Sequence, residues 1–90
     1  MSEFQGMYAI FDKKMNNFQS PFVCPNDAVA IRSLSDFLKS PNASLISNHP
    51  SDFALYKVAV WSPEKACTSV EKTVICECAD LLENHDEVPN

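Results

Sequence analysis

Apolar residues along the chain follow one helical period and two strand-like ones. From Pro25 to Ser40, successive residues turned by about 100° bring Ala30, Ile31, Leu34, Phe37 and Leu38 into one arc. Arg32, Ser33, Ser35, Asp36 and Lys39 fall outside it. The spacing predicts a helix over Asn26–Lys39 with that arc buried. Asn26 or Asp27, after Pro25, can accept from the free N–H groups of the first turn, and Asp27 suits the positive end of the helix dipole. Pro41 cannot continue the helix. Arg32 and Asp36, spaced i,i+4, pair on the wet side, where Val29 is the one apolar residue.

Before the helix, Met7–Met15 is rich in β-formers near its start and is followed by Asn16-Asn17, a pair suited to a tight hairpin turn. With those two residues as the loop, Met15 faces Phe18, Phe11 faces Phe22 and Ile10 faces Val23. Phe11, Met15, Phe18 and Phe22 then share the face turned to the helix, and Tyr8, Ile10 and Val23 share the other. Pro21 has no N–H for a ladder, which predicts an edge strand or a bulge. Gly6 reads as a hinge before the first strand.

After the helix, residues 41–50 read as turn chemistry around Leu45 and Ile46, with room for one helical turn. Phe53–Trp61 is apolar on both alternating sets except for Lys57, the pattern of a central strand covered on both sides. Ser62-Pro63-Glu64-Lys65 is a turn, and Ala66–Cys78 has a β-like middle. The segment from Glu77 to Glu83 fits a short helix carrying Leu81 and Leu82 as well as it fits a strand.

These elements predict an α+β fold: a three- to four-stranded antiparallel sheet with one main helix packed across one face. One domain spans residues 1–90, with loose ends at 1–6 and 85–90. Phe11, Phe22, Ile31, Leu34, Phe37, Leu38 and one alternating set of 53–61 form its core. The face bearing Tyr8, Ile10 and Val23 has no helix assigned to it, so it is the expected interface of a homodimer formed through sheet faces or edges. The C-terminal segment folding back would cover that face instead.

Composition narrows the function more than the fold. With 46% hydrophobic and 21% charged residues the chain is not of the disordered class. A net charge of −5 opposes a clamp that grips phosphates along a groove. No apolar run approaches membrane-spanning length and no export leader opens the chain, so a soluble protein that stays in the cell is expected. The four cysteines, Cys24, Cys67, Cys76 and Cys78, are then expected as free thiols.

Catalytic chemistry is not offered. Cys76 and Cys78 are separated by one residue, short of the C-x₂₋₄-C spacing of zinc sites, and His49 precedes Pro50 in a loop while His85 lies in the tail, so no metal is expected. The carboxylates Asp12, Asp36, Asp52, Glu77 and Asp80 belong to no acid–base motif, and one glycine cannot build a phosphate loop. We expect no enzyme, no cofactor, no small-molecule substrate and no membrane partner. Lys13 and Lys14 beside Tyr8 and Phe11 form the nearest thing to an aromatic–basic surface, with Lys57 a further basic candidate. On spacing alone, a solvated hairpin end is the stronger reading of the same lysines.

Three stretches carry a family resemblance: YAIFDKKMNNFQSPF from Tyr8, AIRSLSDFL from Ala30, and HPSDFALYKVAVW from His49. In order and spacing they resemble the small nonstructural protein of gokushovirus-type microviruses, the tailless single-stranded-DNA phages, over about Tyr8 to Ser62. The chain departs from that pattern after Trp61, where Ser62–Ala66 replaces an Asp-rich, Gly-containing turn, and the C-terminal third has no counterpart. The resemblance implies a protein made in the host bacterial cytoplasm and absent from the virion. It also implies DNA binding, or help with single-stranded viral DNA synthesis during packaging, through contact with single-stranded DNA or a phage or host replication protein. It brings no catalytic residues. The alternative from the charge is an acidic protein–protein adaptor with no direct DNA contact. A DNA binder should gather Lys13, Lys14, Arg32, Lys39 and Lys57 on one side, whereas an adaptor should show an apolar patch without a basic one.

Overall fold

The computed structural model describes residues 4–86, the side chains of 67 and 83–86 excepted. Of the loose ends expected at 1–6 and 85–90, residues 1–3 and 87–90 and the side chains of 85 and 86 lie outside these residues, while the backbone of 85–86 is helical. Gln5 and Gly6, expected to be loose, open the first strand.

Five strands, all antiparallel to their neighbours, fill four positions of one sheet. β1 (Gln5–Asp12) pairs on one side with β2 (Asn17–Phe18) and then β3 (Phe22–Cys24), two halves of an edge broken at Gln19–Pro21. Its other side pairs with β4 (Phe53–Ser62), and β4 pairs with β5 (Cys67–Glu77), the second edge. Between β3 and β4 lie α1 (Asp27–Phe37), the short α2 (Ser44–Asn48) and two 3₁₀ turns. The ambiguous C-terminal segment is helical, α3 running from Cys78 to Asp86. The α+β class and the antiparallel sheet follow the sequence reading.

Sequence and local chemistry agree best at α1. Asn26, in extended backbone, accepts from the Val29 N–H at 2.9 Å, a cap contributing about 1 kcal/mol. Leu38 closes the helix, and Lys39 and Ser40 donate to Asp36 and Phe37 in a tightened last turn before Pro41. The buried stripe is Ala30, Leu34 and Leu38, rotated slightly from the expected arc: Phe37 is exposed, and Val29, expected wet, packs on the core.

The first hairpin differs from the two-residue turn expected. Its loop is Lys13–Asn16, because the Asp12 carboxylate accepts from the N–H groups of Lys14 and Met15 at 3.0 and 3.1 Å, and Asn16 N–H closes on the Asp12 carbonyl. Within this loop only Asn16 takes positive φ, at 60°. Phe11 therefore faces Phe18, and Tyr8 faces Phe22. The break at Gln19–Pro21 lets Phe18 and Phe22 point to opposite faces.

This register reverses the expected faces. Tyr8, Ile10, Phe22 and Cys24 turn toward α1 and form the core with Leu34, Leu38, Ile46, Phe53, Leu55 and Cys78. Phe11 and Phe18 lie on the other face. Tyr8 is fully buried, and its hydroxyl donates to Asp27 at 2.5 Å, tying β1 to the first turn of α1. Gly6 lies two residues back on the same face, where an added Cβ would overlap the Tyr8 ring, so the only glycine makes room for Tyr8 and is not a hinge. Leu81 and Leu82 of α3 pack on this same core, so both longer helices cover one face. β4 is central in the sheet, but only one of its faces is covered.

Candidate nucleic-acid interface

The uncovered face is built by register. Across β1 and β4, Ala9 opposes Tyr56 and Phe11 opposes Ala54, so each large ring stands over an alanine and the rings interleave. Across β1 and β2, Phe11 opposes Phe18 directly. Phe11, Phe18 and Tyr56 consequently form a mutual cluster. Ring centroids are 4.7 Å apart for Phe11–Phe18, 5.7 Å for Phe11–Tyr56 and 5.3 Å for Phe18–Tyr56, the last two edge-to-face. Ala9 and Ala54 are buried beneath the rings, while Phe18 keeps over a third of its surface open.

A cation joins the cluster from the far edge. The Lys72 ammonium, on β5, reaches to 5.9 Å from the centre of the Phe18 ring, within the range of a cation–π contact. Val74, which opposes Tyr56, is half exposed, and Val70, which opposes Ala59, is almost fully exposed. The result is a broad apolar and aromatic patch with one ammonium over it.

The residues nominated from sequence are scattered. Lys14 is exposed at the hairpin tip, its side chain making no hydrogen bond or ion pair among the described residues. Lys13 is engaged: its ammonium donates to Glu77 at 2.7 Å and to the Ser51 carbonyl at 3.1 Å. The hydrogen bond it donates to Glu77 holds the amine above its ordinary range. Tyr8 is in the core and offers no ring to a ligand. Lys57 opposes Tyr8 on the helix side, with its ammonium 3.6 Å from Asp27. Of the expected interface residues, Tyr8 and Ile10 are buried under α1, and only Val23 is substantially exposed.

Two concavities lie on the helix side. The larger, about 440 Å³, is lined by Gly6, Tyr8, Asn26, Asp27 and Lys57, and within it Asp27 already accepts from the Tyr8 hydroxyl and pairs with Lys57. The second, about 300 Å³, lies between the broken edge and α1 against Ile10, Phe22, Leu34 and Phe37. Among the described residues, no three His, Cys, Asp or Glu side chains converge on a metal-sized site, and no helix is long and apolar enough to cross a membrane.

Sequence reasoning missed Phe18, Tyr56 and Lys72. The available signal was the pairing of large with small, Tyr56 with Ala9 and Phe11 with Ala54, which becomes visible only once the register is known. In comparison with known proteins, a family model described as phage ORF5 protein matches residues 5–81. No curated protein and no solved structure matches the chain.

Proposed function

The chain belongs to the phage ORF5 protein family, and from that premise we propose that it is a nonstructural accessory protein of a gokushovirus-type microvirus that assists single-stranded viral DNA synthesis or packaging. It works in the host cytoplasm, outside the virion, by contact and not by catalysis. Its contact surface is the bare sheet face, where unpaired bases stack on Phe18 and Tyr56, and Lys72 and Lys14 meet the neighbouring phosphates.

The observation that carries this reading is the aromatic cluster on the open face with the Lys72 ammonium over it. Base-on-aromatic stacking tolerates any sequence and contributes about 1–3 kcal/mol per base. It also needs few phosphate contacts, which suits a chain of net charge −5. Binding should then weaken only shallowly with salt, with a slope reflecting about one to three phosphates.

A second reading, an acidic adaptor for a phage or host protein, is favoured by the distribution of the basic residues. Lys13 and Lys57 are held by Glu77 and Asp27, while Arg32 and Lys39 belong to the α1 side of the sheet, so no basic surface is gathered. Fluorescence anisotropy with a labelled oligothymidylate separates the two. The DNA reading expects saturable binding at about 20 mM salt, where charge attraction is least screened. It also expects loss of binding on Phe18→Ala and weakening on Lys72→Glu. Absence of binding under those conditions rejects direct DNA contact and leaves the adaptor.

A further inference from the structure

The two edges of the sheet are built differently. One edge is β2 and β3, of two and three residues, separated by Gln19–Pro21, with Pro21 lacking an N–H. Short, broken, proline-bearing edges do not template further pairing. The other edge is β5, eleven residues long, without proline or glycine, and with β-branched residues at Thr68, Val70, Thr73, Val74 and Ile75. Among the described residues nothing pairs with its outer side. Its most exposed apolar side chain is Val70, 90% exposed.

We propose that β5 is a homodimer interface, in which two copies pair antiparallel along their β5 edges about a two-fold axis near Val70. The proposal does not depend on the DNA reading.

Charge and closure both favour a second copy as the occupant. Each chain carries −5, yet from Cys67 to Cys76 Glu71 and Lys72 cancel, so two copies meet along a neutral strip. With Val70 facing its own counterpart, Glu71 falls opposite Ser69 and Lys72 opposite Thr68, so no like charges stand directly across from each other. The pairing begins where β5 is most regular, since its register against β4 is unbroken from Cys67 to Val70 and shifts beyond it. A two-fold axis perpendicular to the sheet uses up both open edges and leaves only the guarded β2/β3 edges outside, so assembly stops at two. The same axis keeps the helices of both copies on one side. The two aromatic clusters then share the other side, about 35 Å apart when the strand spacing is combined with each cluster's offset along the strands from the axis.

Sedimentation velocity without nucleic acid tests this. At about 100 µM, where an interface of micromolar affinity is saturated, the wild-type protein should sediment at twice the mass of one chain. Val70→Lys places two ammonium groups against each other at the axis and should give the single-chain mass with an unchanged far-UV spectrum. Phe18→Ala, on the open face away from the edge, should remain dimeric. A single-chain mass for the wild type, a dimer that survives Val70→Lys, or a dimer lost on Phe18→Ala would each overturn the proposal. None of these outcomes bears on oligothymidylate binding, so failure here is distinct from failure of the DNA reading.

Discussion

Tyr8→Phe removes one hydroxyl from the core and leaves the ring in place. That hydroxyl donates to Asp27 at 2.5 Å from a fully buried residue, joining strand to helix across nineteen positions. A hydrogen bond to a charged group contributes about 1.5–3 kcal/mol. Asp27 is half exposed and has Lys57 at 3.6 Å, so its carboxylate recovers water and keeps a partner, which lowers the expected loss to about 1–2 kcal/mol. For a domain of this size that is a fall in Tm of about 4–16 °C. The effect should also depend on pH. Burial, followed by the hydrogen bond to Asp27 and that residue's charge, holds the Tyr8 phenol above its ordinary value of 10.0. An unfolded chain therefore releases this proton before the folded one does. Stability from the neutral phenol is complete below the ordinary value and is lost as pH rises above it. Urea denaturation from pH 7 to 11 should show the wild type losing stability at the alkaline end, with a flatter loss in Tyr8→Phe. A variant as stable as the wild type at pH 7, with the same alkaline slope, would refute the role given to this bond.

Two further predictions concern the second hairpin and the thiols. Ala66 ends the β4–β5 loop at φ 54°, its N–H closing on the Ser62 carbonyl, so Ala66→Gly should relieve left-handed strain and raise stability by about 1 kcal/mol in thermal denaturation; an unchanged or lower Tm would count against that turn geometry. Burial raises the Cys76 thiol and pushes that of Cys78 up to about 12, so in the folded protein at pH 8 Cys78 should resist alkylation until the chain unfolds, and mass spectrometry showing it modified as fast as an exposed thiol would contradict its place in the core.

The parts of the fold legible in sequence were those fixed by local chemistry. Asn26 as cap, Pro41 as stop and the stripe through Ala30, Leu34 and Leu38 required only residues within a few positions of one another. The central strand over 53–62 was legible from its length and its single charge, Lys57. Which face of the hairpin meets the helix was not, because it depends on a turn whose length is set by a side chain. Asp12 caps the N–H groups of Lys14 and Met15, so the loop takes four residues where Asn16-Asn17 suggested two. The candidate site inherited that error. Tyr8, which a two-residue turn would put on a ligand-facing surface, is a core residue held by Gly6 and Asp27. Tyr56 and Phe18 had no visible partner until pairing brought them beside Phe11. Lys72 reaches the cluster from a strand whose sequence carries no motif.

The claim that the bare sheet face is where this protein meets single-stranded DNA is tested most directly by nuclear magnetic resonance. Uniformly ¹⁵N-labelled protein is titrated with oligothymidylate at about 20 mM salt, where electrostatic attraction is least screened. The expected result is progressive, saturable shifts in the amides of Phe11, Phe18, Tyr56, Lys72 and the Lys13–Asn16 loop, with α1 unaffected. No shifts, or shifts confined to α1 and the cleft beside Asp27, would contradict the account.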